Sequence, residues 1–483
     1  MRQMIQSAKG SVRAFRSDRR GNFAVLTAAV ASILALSAGF AVDVIQLHNV
    51  KSSLQNALDA AITSTARDLT TGAIKPEDAR KRFEAFFFAN GDADFAGGEI
   101  VLGDLVVDRT TRTVSANAYV DAALFFPVFR SGSAQRVGVE SAALYSDKAV
   151  EVAMMLDITG SMKGQKIKDL KSAATNAVNA LLGNQDEKSP RVRVAIVPYA
   201  EAVNTGGLSD TVFVETKTNG NLPPPDDAAV LASAASAPDK CATERKNPDG
   251  SADFSDDSPY STRFYLDTRG ALKGKSYLAR VNRDDRITTG TDWYGRQYTK
   301  CPKAELIPLT AKKQKLLDTI GAFEADGVTS GGIAAQWGYY MLSPDWRDAI
   351  VNAGLGSGPA NYSARKVSKV AILMTDGQFN TAFAGVRDGD PVQGAQGAKS
   401  RSYAESLCEN MKHDGIEVFT IGFALDDPDV SASERREAKA VLKDCATTDT
   451  GSTKHFYEAS TGTELDGAFR SIVGNIERLA VTR

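Results

Sequence analysis

Histidine is scarce in this sequence: 483 residues hold His48, His413 and His455 and no others, beside four cysteines. No C-x2-C pair and no H-E-x-x-H run occurs, so the sequence carries neither of these zinc-binding patterns. Nor is there a nucleophile, base and orienting residue set in which a histidine takes part, which weighs against hydrolysis by a triad. A surplus of positive charge is missing as well. Lys and Arg number 57 against 59 Asp and Glu, a formal net charge of −2, whereas a nucleic-acid binder needs a basic face to neutralise phosphates; no nucleic-acid partner is expected. What remains, 43% hydrophobic and 24% charged, is ordinary globular material with room for two or more domains.

Charge is also missing locally. Phe23 to Val42 carries no charged side chain, and a helix of that length crosses the roughly 30 Å hydrocarbon core of a bilayer. Arg2, Lys9, Arg13, Arg16, Arg19 and Arg20 precede it against a single acid, Asp18, and Asp43 follows it. The asymmetry predicts a basic cytoplasmic tail over 1–21, a single span over 22–43 and the bulk of the chain beyond the membrane. The rival readings are a signal peptide, with Ser37-Ala38-Gly39 as a small-residue cleavage site, and a buried helix of a soluble domain. Ala31, Ala35 and Gly39 recur every four residues, a helix-packing spacing that is also ordinary for a membrane span.

Beyond the span, Leu47, Val50, Leu54, Ala57, Leu58, Ala61 and Ile62 keep a helical stripe, and no Gly or Pro stands between Asp43 and Leu69; the helix is expected to continue as a stalk. A short helix from Ala79 to Phe88 and strands over Ile100–Val107, Val114–Val120 and Val137–Tyr145 complete a small α+β module, so that 44–147 forms one region. The phrases Arg19-Arg20-Gly21-Asn22-Phe23-Ala24-Val25-Leu26-Thr27, Ala41-Val42-Asp43 and Leu54-Gln55-Asn56-Ala57-Leu58-Asp59-Ala60-Ala61 resemble the amino-terminal segment of TadG-like proteins of the bacterial Tad (Flp pilus) assembly machinery. The resemblance implies a single-pass inner-membrane protein with its bulk in the periplasm, other Tad/Flp pilus components as partners, and a part in pilus assembly or surface adhesion. Related pseudopilins are processed where a Glu lies five residues after the Gly; Leu26 stands there, and no cleavage at Gly21 is expected.

From Lys148 onward, apolar runs alternate with helical stripes. Val150 to Leu156 reads as a buried strand that ends in Asp157-Ile158-Thr159-Gly160-Ser161; Val370 to Thr375 reads as a second one, ending in Asp376-Gly377; between them Gly327-Val328-Thr329-Ser330-Gly331-Gly332 precedes a helix. Strands alternating with helices predict a parallel sheet covered on both faces, with ligands at the carboxyl edge of its strands. Asp157, Thr159, Ser161, Thr329 and Asp376 are then five oxygen side chains on loops at that edge, expected to be open to solvent. Hard oxygens at one point suit Mg²⁺, with Mn²⁺ or Ca²⁺ as alternatives. Thr159 or Ser161 as a plain helix cap is the bland alternative. The pattern D-x-[ST]-x-S, then a Thr, then an Asp after a strand, resembles the metal-ion-dependent adhesion site of von Willebrand factor A domains. That implies a doubly wound, mostly parallel α/β domain over 148–483 whose metal takes a carboxylate from a protein partner.

A polar insertion, 205–307, interrupts this domain and is expected to emerge near the rim of the site. Its aromatic section is bracketed by Cys241 and Cys301; pairing them, with Cys408 to Cys445 as the second bridge, would close a loop worth about 4 kcal/mol. Free buried thiols are the alternative, against an oxidising compartment. Gly270 to Ser276 has one residue too few between its glycines for a phosphate-binding loop. An aspartyl phosphotransferase using Asp157 as nucleophile is the enzyme alternative, but such enzymes want a second Asp where Thr159 stands. A scaffold used only for its shape is the third reading.

Overall fold

The computed structural model describes residues 22–71, 73–90, 98–126, 132–146, 148–183, 185–188, 190–213, 240–247, 249–259, 301–363, 366–386, 392–426, 431–451 and 453–482, with short pieces between 264 and 299. The chain divides into two units, one of Met1–Leu69 and Lys75–Tyr145, the other of Thr70–Ile74 and Ser146–Arg483.

In the first unit, helix α1 (Asn22–Thr71) runs 50 residues without interruption, about 75 Å at 1.5 Å per residue. Its character changes along its length. The early part is apolar and exposed on nearly every side, with an 18-residue window of mean hydropathy 2.2 of which 6% is buried; it is long and apolar enough to cross a membrane. Further on, Val50, Leu54, Ala57, Leu58, Ala61, Ile62, Ala66 and Leu69 are buried, a single stripe at helical spacing. Helix α2 (Ala79–Asn90) adds buried Phe83 and Phe87. Strands β1 (Ile100–Leu102), β2 (Val106–Asp108) and β4 (Ala134–Leu144) all pair antiparallel with β3 (Thr113–Ala123). Along β3, Val114, Ala116, Ala118, Val120 and Ala122 are buried and the residues between them are not, as the two-residue period of a half-covered sheet requires.

The second unit is built on a six-stranded sheet. Its elements are β5 (Ala149–Asp157), α3 (Gln165–Leu182), β6 (Val192–Tyr199), β7 (Val203–Asn204), β8 (Cys241–Ala242), β9 (Ile307–Thr310), α4 (Lys313–Gly321), α5 (Gly331–Tyr340), β10 (Val367–Thr375), α6 (Gly397–His413), β11 (Glu417–Phe423), α7 (Ala432–Cys445), β12 (Phe456–Ala459) and α8 (Gly462–Thr482). The strand order is β9-β6-β5-β10-β11-β12; β9 is antiparallel to β6 and every other pair is parallel. Alternate residues of β5 feed two cores. Ala153 and Met155 pack with Trp337, Leu407 and Leu442 of α5, α6 and α7, while Val152, Met154 and Leu156 pack with Leu170, Leu316 and Phe469 of α3, α4 and α8. Both faces are covered, so the strands are apolar throughout rather than alternating. This is the doubly wound, mostly parallel architecture that the sequence predicts.

Helix ends follow local rules. Ser431 and Glu434 form a complete capping box on α7. At α8 the Thr461 hydroxyl accepts from the Glu464 N–H at 3.2 Å, but the Glu464 carboxylate accepts from the N–H of Ser460, one residue before the N–H that a capping box uses. All four cysteines are paired, Cys241 with Cys301 and Cys408 with Cys445, as expected. Within the insertion, Phe264–Leu266 pairs with Leu272–Gly274 and Thr289–Thr291 with Gln297–Thr299; Tyr260, Tyr277, Trp293 and Tyr294 lie outside the described residues.

Candidate metal centre

From β5 the chain moves to β6 on one side and later to β10 on the other. The winding reverses between β5 and β10, which opens a crevice at their carboxyl ends. Register carries Leu156 opposite Met374, so the two strands end level: Asp157 is the last residue of one and Asp376 follows the other. Four of the five expected residues are joined there by hydrogen bonds. The Thr159 hydroxyl donates to Asp157 Oδ1 at 2.6 Å, and the Thr159 N–H reaches the same oxygen at 2.9 Å. Thr159 Oγ1 lies 3.0 Å from Ser161 Oγ, and Ser161 donates to Asp376 Oδ1 at 2.6 Å.

Thr329 stands outside that chain of hydrogen bonds, on the adjoining loop. The Gly160 N–H donates to the Gly327 carbonyl at 2.9 Å and the Asp326 N–H to the Ile158 carbonyl at 2.9 Å, which locks the two loops side by side. A Cβ on Gly160 would sit 3.1 Å from that Gly327 carbonyl; the glycine is there for close approach, and it is Gly327 that takes a positive φ of 81°. Thr329 is itself held by Asn380, whose Oδ1 accepts its N–H at 3.0 Å and whose N–H donates to its carbonyl at 2.9 Å.

The loop is less open than the sequence suggests. Asp157 is fully buried and Thr159 and Asp376 are 1% exposed, whereas Ser161 is exposed. Burial, and then the charge of Asp376, push the Asp157 carboxyl up to about 7, against the hydrogen bonds that favour its ionised form. Asp376 meets the Lys166 ammonium, 3.0 Å from its Oδ2. Among the described residues no three His, Cys, Asp or Glu side chains cluster; this donor set is two carboxylates with hydroxyls between them. The set suits a hard divalent cation, which prefers oxygen and would relieve the crowding of two acids.

Three participants carry no sequence signal of their own. Lys166 lies in the first turn of α3. Thr375 donates to Asp157 Oδ2 at 2.7 Å, and Tyr199 at the end of β6 donates to the Met374 carbonyl at 2.9 Å and stands 3.4 Å from Asp157 Oδ2. The insertion also reaches this region. Glu244, buried and pushed up to about 7 mainly by burial, accepts from the N–H groups of Phe383 and Ala384 on the same loop as Asn380, and the Arg245 N–H donates to Gln336 of α5.

No curated protein matches the chain. Among solved structures it is similar to the von Willebrand domain of the type V pili tip protein Mfa5 from Porphyromonas gingivalis, at 14% identity and TM-score 0.36 over 70% of this chain and 97% of that one. It is similar to the pilus adhesin SpaC from Lactobacillus rhamnosus GG in its open conformation, at 12% identity and TM-score 0.33 over 79% of this chain and 34% of that one. Proximal thread matrix protein 1 from the mussel byssus, with a zinc-occupied MIDAS motif, gives 12% identity and TM-score 0.27 over 68% and 45%. The chain therefore spans about a third of SpaC and under half of the byssus protein. Residues 21–68 match the family described as putative Flp pilus-assembly TadE/G-like. The chain thus carries a TadE/G-like amino-terminal segment ahead of a doubly wound α/β unit.

Proposed function

We propose that this protein is a membrane-anchored adhesion module whose α/β unit binds a protein partner through a divalent cation, in the service of Tad/Flp pilus assembly or surface adhesion. The observation that carries the reading is the line of oxygens Asp157–Thr159–Ser161–Asp376 across the crevice where the winding reverses. Asp157, Thr159 and Ser161 would hold the ion directly or through water, Asp376 would balance its charge, and Thr329 would lend its hydroxyl from the adjoining loop. The ion, Mg²⁺ or else Mn²⁺ or Ca²⁺, supplies a Lewis-acidic point for a partner's carboxylate. Ser161, the exposed member, marks the side from which that carboxylate would arrive. The TadE/G-like match over 21–68 and the apolar helix support an envelope location, with the amino terminus in the cytoplasm and the α/β unit in the periplasm; the two disulfides suit an oxidising compartment.

Catalysis by Asp157 is the second reading, and the residue types around it favour it less. The loop carries Thr159 where an aspartyl phosphotransferase wants a second Asp, and Thr159 and Thr375 hold the Asp157 carboxyl in place from either side. Titration calorimetry on the detergent-solubilised chain tests the proposal: binding of Mg²⁺ or Mn²⁺, with a periplasmic protein retained in Mg²⁺ and released by a chelator, is expected. Absence of any divalent binding would sink the adhesion reading and leave a scaffold.

A further inference from the structure

Asp43 closes the charge-free stretch in the sequence, yet it is not a solvent-facing boundary. It is 5% exposed, and its carboxylate accepts from the N–H groups of Phe125 (2.8 Å to Oδ1) and Phe126 (3.1 Å to Oδ2), where β3 turns toward β4. Three residues on, Gln46 donates to the Ala123 carbonyl at 3.1 Å. One turn earlier, a Cβ on Gly39 would lie 2.6 Å from the Phe126 ring. Gly39, Asp43 and Gln46 share one helix face, and that face clasps the end of the β3–β4 ribbon. Farther along, Gln55 donates to the Glu140 carbonyl of β4, so the ribbon follows the helix with its tip at the apolar end.

The described end of β3 is apolar and exposed. Phe125 is 68% and Phe126 47% exposed, and on the helix beside them Phe40, Val42, Val44 and Ile45 are 46–60% exposed. We propose that Phe125 and Phe126, just past the end of β3, are a membrane-interface anchor: they enter the lipid at the level where α1 leaves it, and the apolar surface of the span continues through Ile45. The occupant is lipid because the exposed patch is continuous with the apolar surface of α1, and because Asp43, the charge that the described residues place within it, is satisfied by backbone N–H groups, the condition for a polar group at that depth. Aromatic side chains belong at this level of a bilayer. The inference rests on α1 crossing the membrane.

The test places a tryptophan at the tip of the full chain, F125W, in vesicles of brominated phosphatidylcholine. The added emission is expected to be quenched by bromine and shielded from aqueous iodide, while V106W, on β2 toward the other end of β3, is open to iodide and unquenched by bromine. In the D43A background the F125W quenching is expected to fall, the tip having lost its clasp. Emission at F125W open to iodide, or shielded from iodide yet indifferent to bromine as under a covering protein, overturns the anchor; undiminished quenching with D43A removes Asp43 from it. Carbonate extraction of the same vesicles reads the span separately. A chain that stays with the lipid while F125W is unquenched refutes the tip alone, and a chain that is extracted refutes the span and the tip together.

Discussion

Strands β5 and β10 bury charge at both of their ends, and the two ends are built in opposite ways. At the amino end Glu151 lies in register with Lys369 on one neighbour and Arg193 on the other, and both cations pair with its carboxylate. The remaining groups are held too: the Ala360 N–H donates to Glu151 at 2.8 Å, Lys369 donates to the Leu342 carbonyl at 2.7 Å, and Arg193 donates to Ser357 Oγ and the Gly358 carbonyl at 2.6 and 2.7 Å. At the carboxyl end the half-buried Lys166 pairs with Asp376, while Asp157 meets the hydroxyls of Thr159, Thr375 and Tyr199 and the N–H of Thr159. A buried cluster with its charges and hydrogen bonds matched belongs to the fold, since removing one member strands the others. The carboxyl end is not matched in that way: hydroxyls lie between its two acids and Ser161 leaves one edge exposed, the arrangement that the proposed cation would complete.

The largest effect should come from breaking the matched end. Lys369→Met deprives Glu151 of one cation and should cost about 3 kcal/mol, seen as a lower urea midpoint at unchanged slope; a wild-type midpoint would mean that Arg193 alone suffices. At the other end the result inverts. Asp157→Ala should abolish divalent binding by calorimetry and leave the circular dichroism spectrum and the metal-free urea midpoint at or above wild type, because it removes a carboxyl crowded by burial and by Asp376. Metal affinity that survives the substitution would remove Asp157 from the site.

pH sharpens the same contrast. The folded value for Asp157, about 7, lies above the ordinary 3.8, so folding favours its protonated form. Its contribution is therefore most favourable below about pH 4 and is lost as pH rises through 7. The metal-free wild type should lose stability relative to Asp157→Asn across that window, by several degrees in Tm, and Mg²⁺ should cancel the loss; a difference independent of pH would contradict it. The smallest effect is expected from Lys166→Met. The ammonium would compete with the proposed cation for Asp376 Oδ2, so Mg²⁺ affinity should rise modestly, while Ser161→Ala should lower it; a fall with Lys166→Met would make the lysine a helper of the ion.

Much of the centre was legible because its parts end strands. Asp157 and Asp376 each close an apolar run, and such runs announce themselves without knowledge of the fold. The rest was hidden for physical reasons. Thr375 reads as the last residue of a strand, Tyr199 as core and Lys166 as an ordinary first-turn lysine; their roles arise from register. Glu244 sits in a polar insertion whose sequence offers no period, and its burial depends on the loop that Phe383 and Ala384 bring to it. Thr329 was expected among the ligands, and its loop does lie beside them, but its hydroxyl takes no part in the hydrogen-bonded line.

By itself the sequence determined whatever depends on neighbours in the chain: the charge-free stretch, the stripe from Val50 to Leu69, the strands that end at Asp157 and Thr375, and the close of α6 near Gly415, which takes a positive φ of 77°. Hydrophobic period and backbone preference act over a few residues, so they can be read from a string. The tertiary structure alone decided which charges meet. Ser161 and Asp376 are 215 positions apart and Glu151 and Lys369 are 218 apart, and their pairing follows from parallel register between β5 and β10. Whether a buried acid there is matched by cations or left in excess depends on that register and on the crossing helices, and no local pattern contains it.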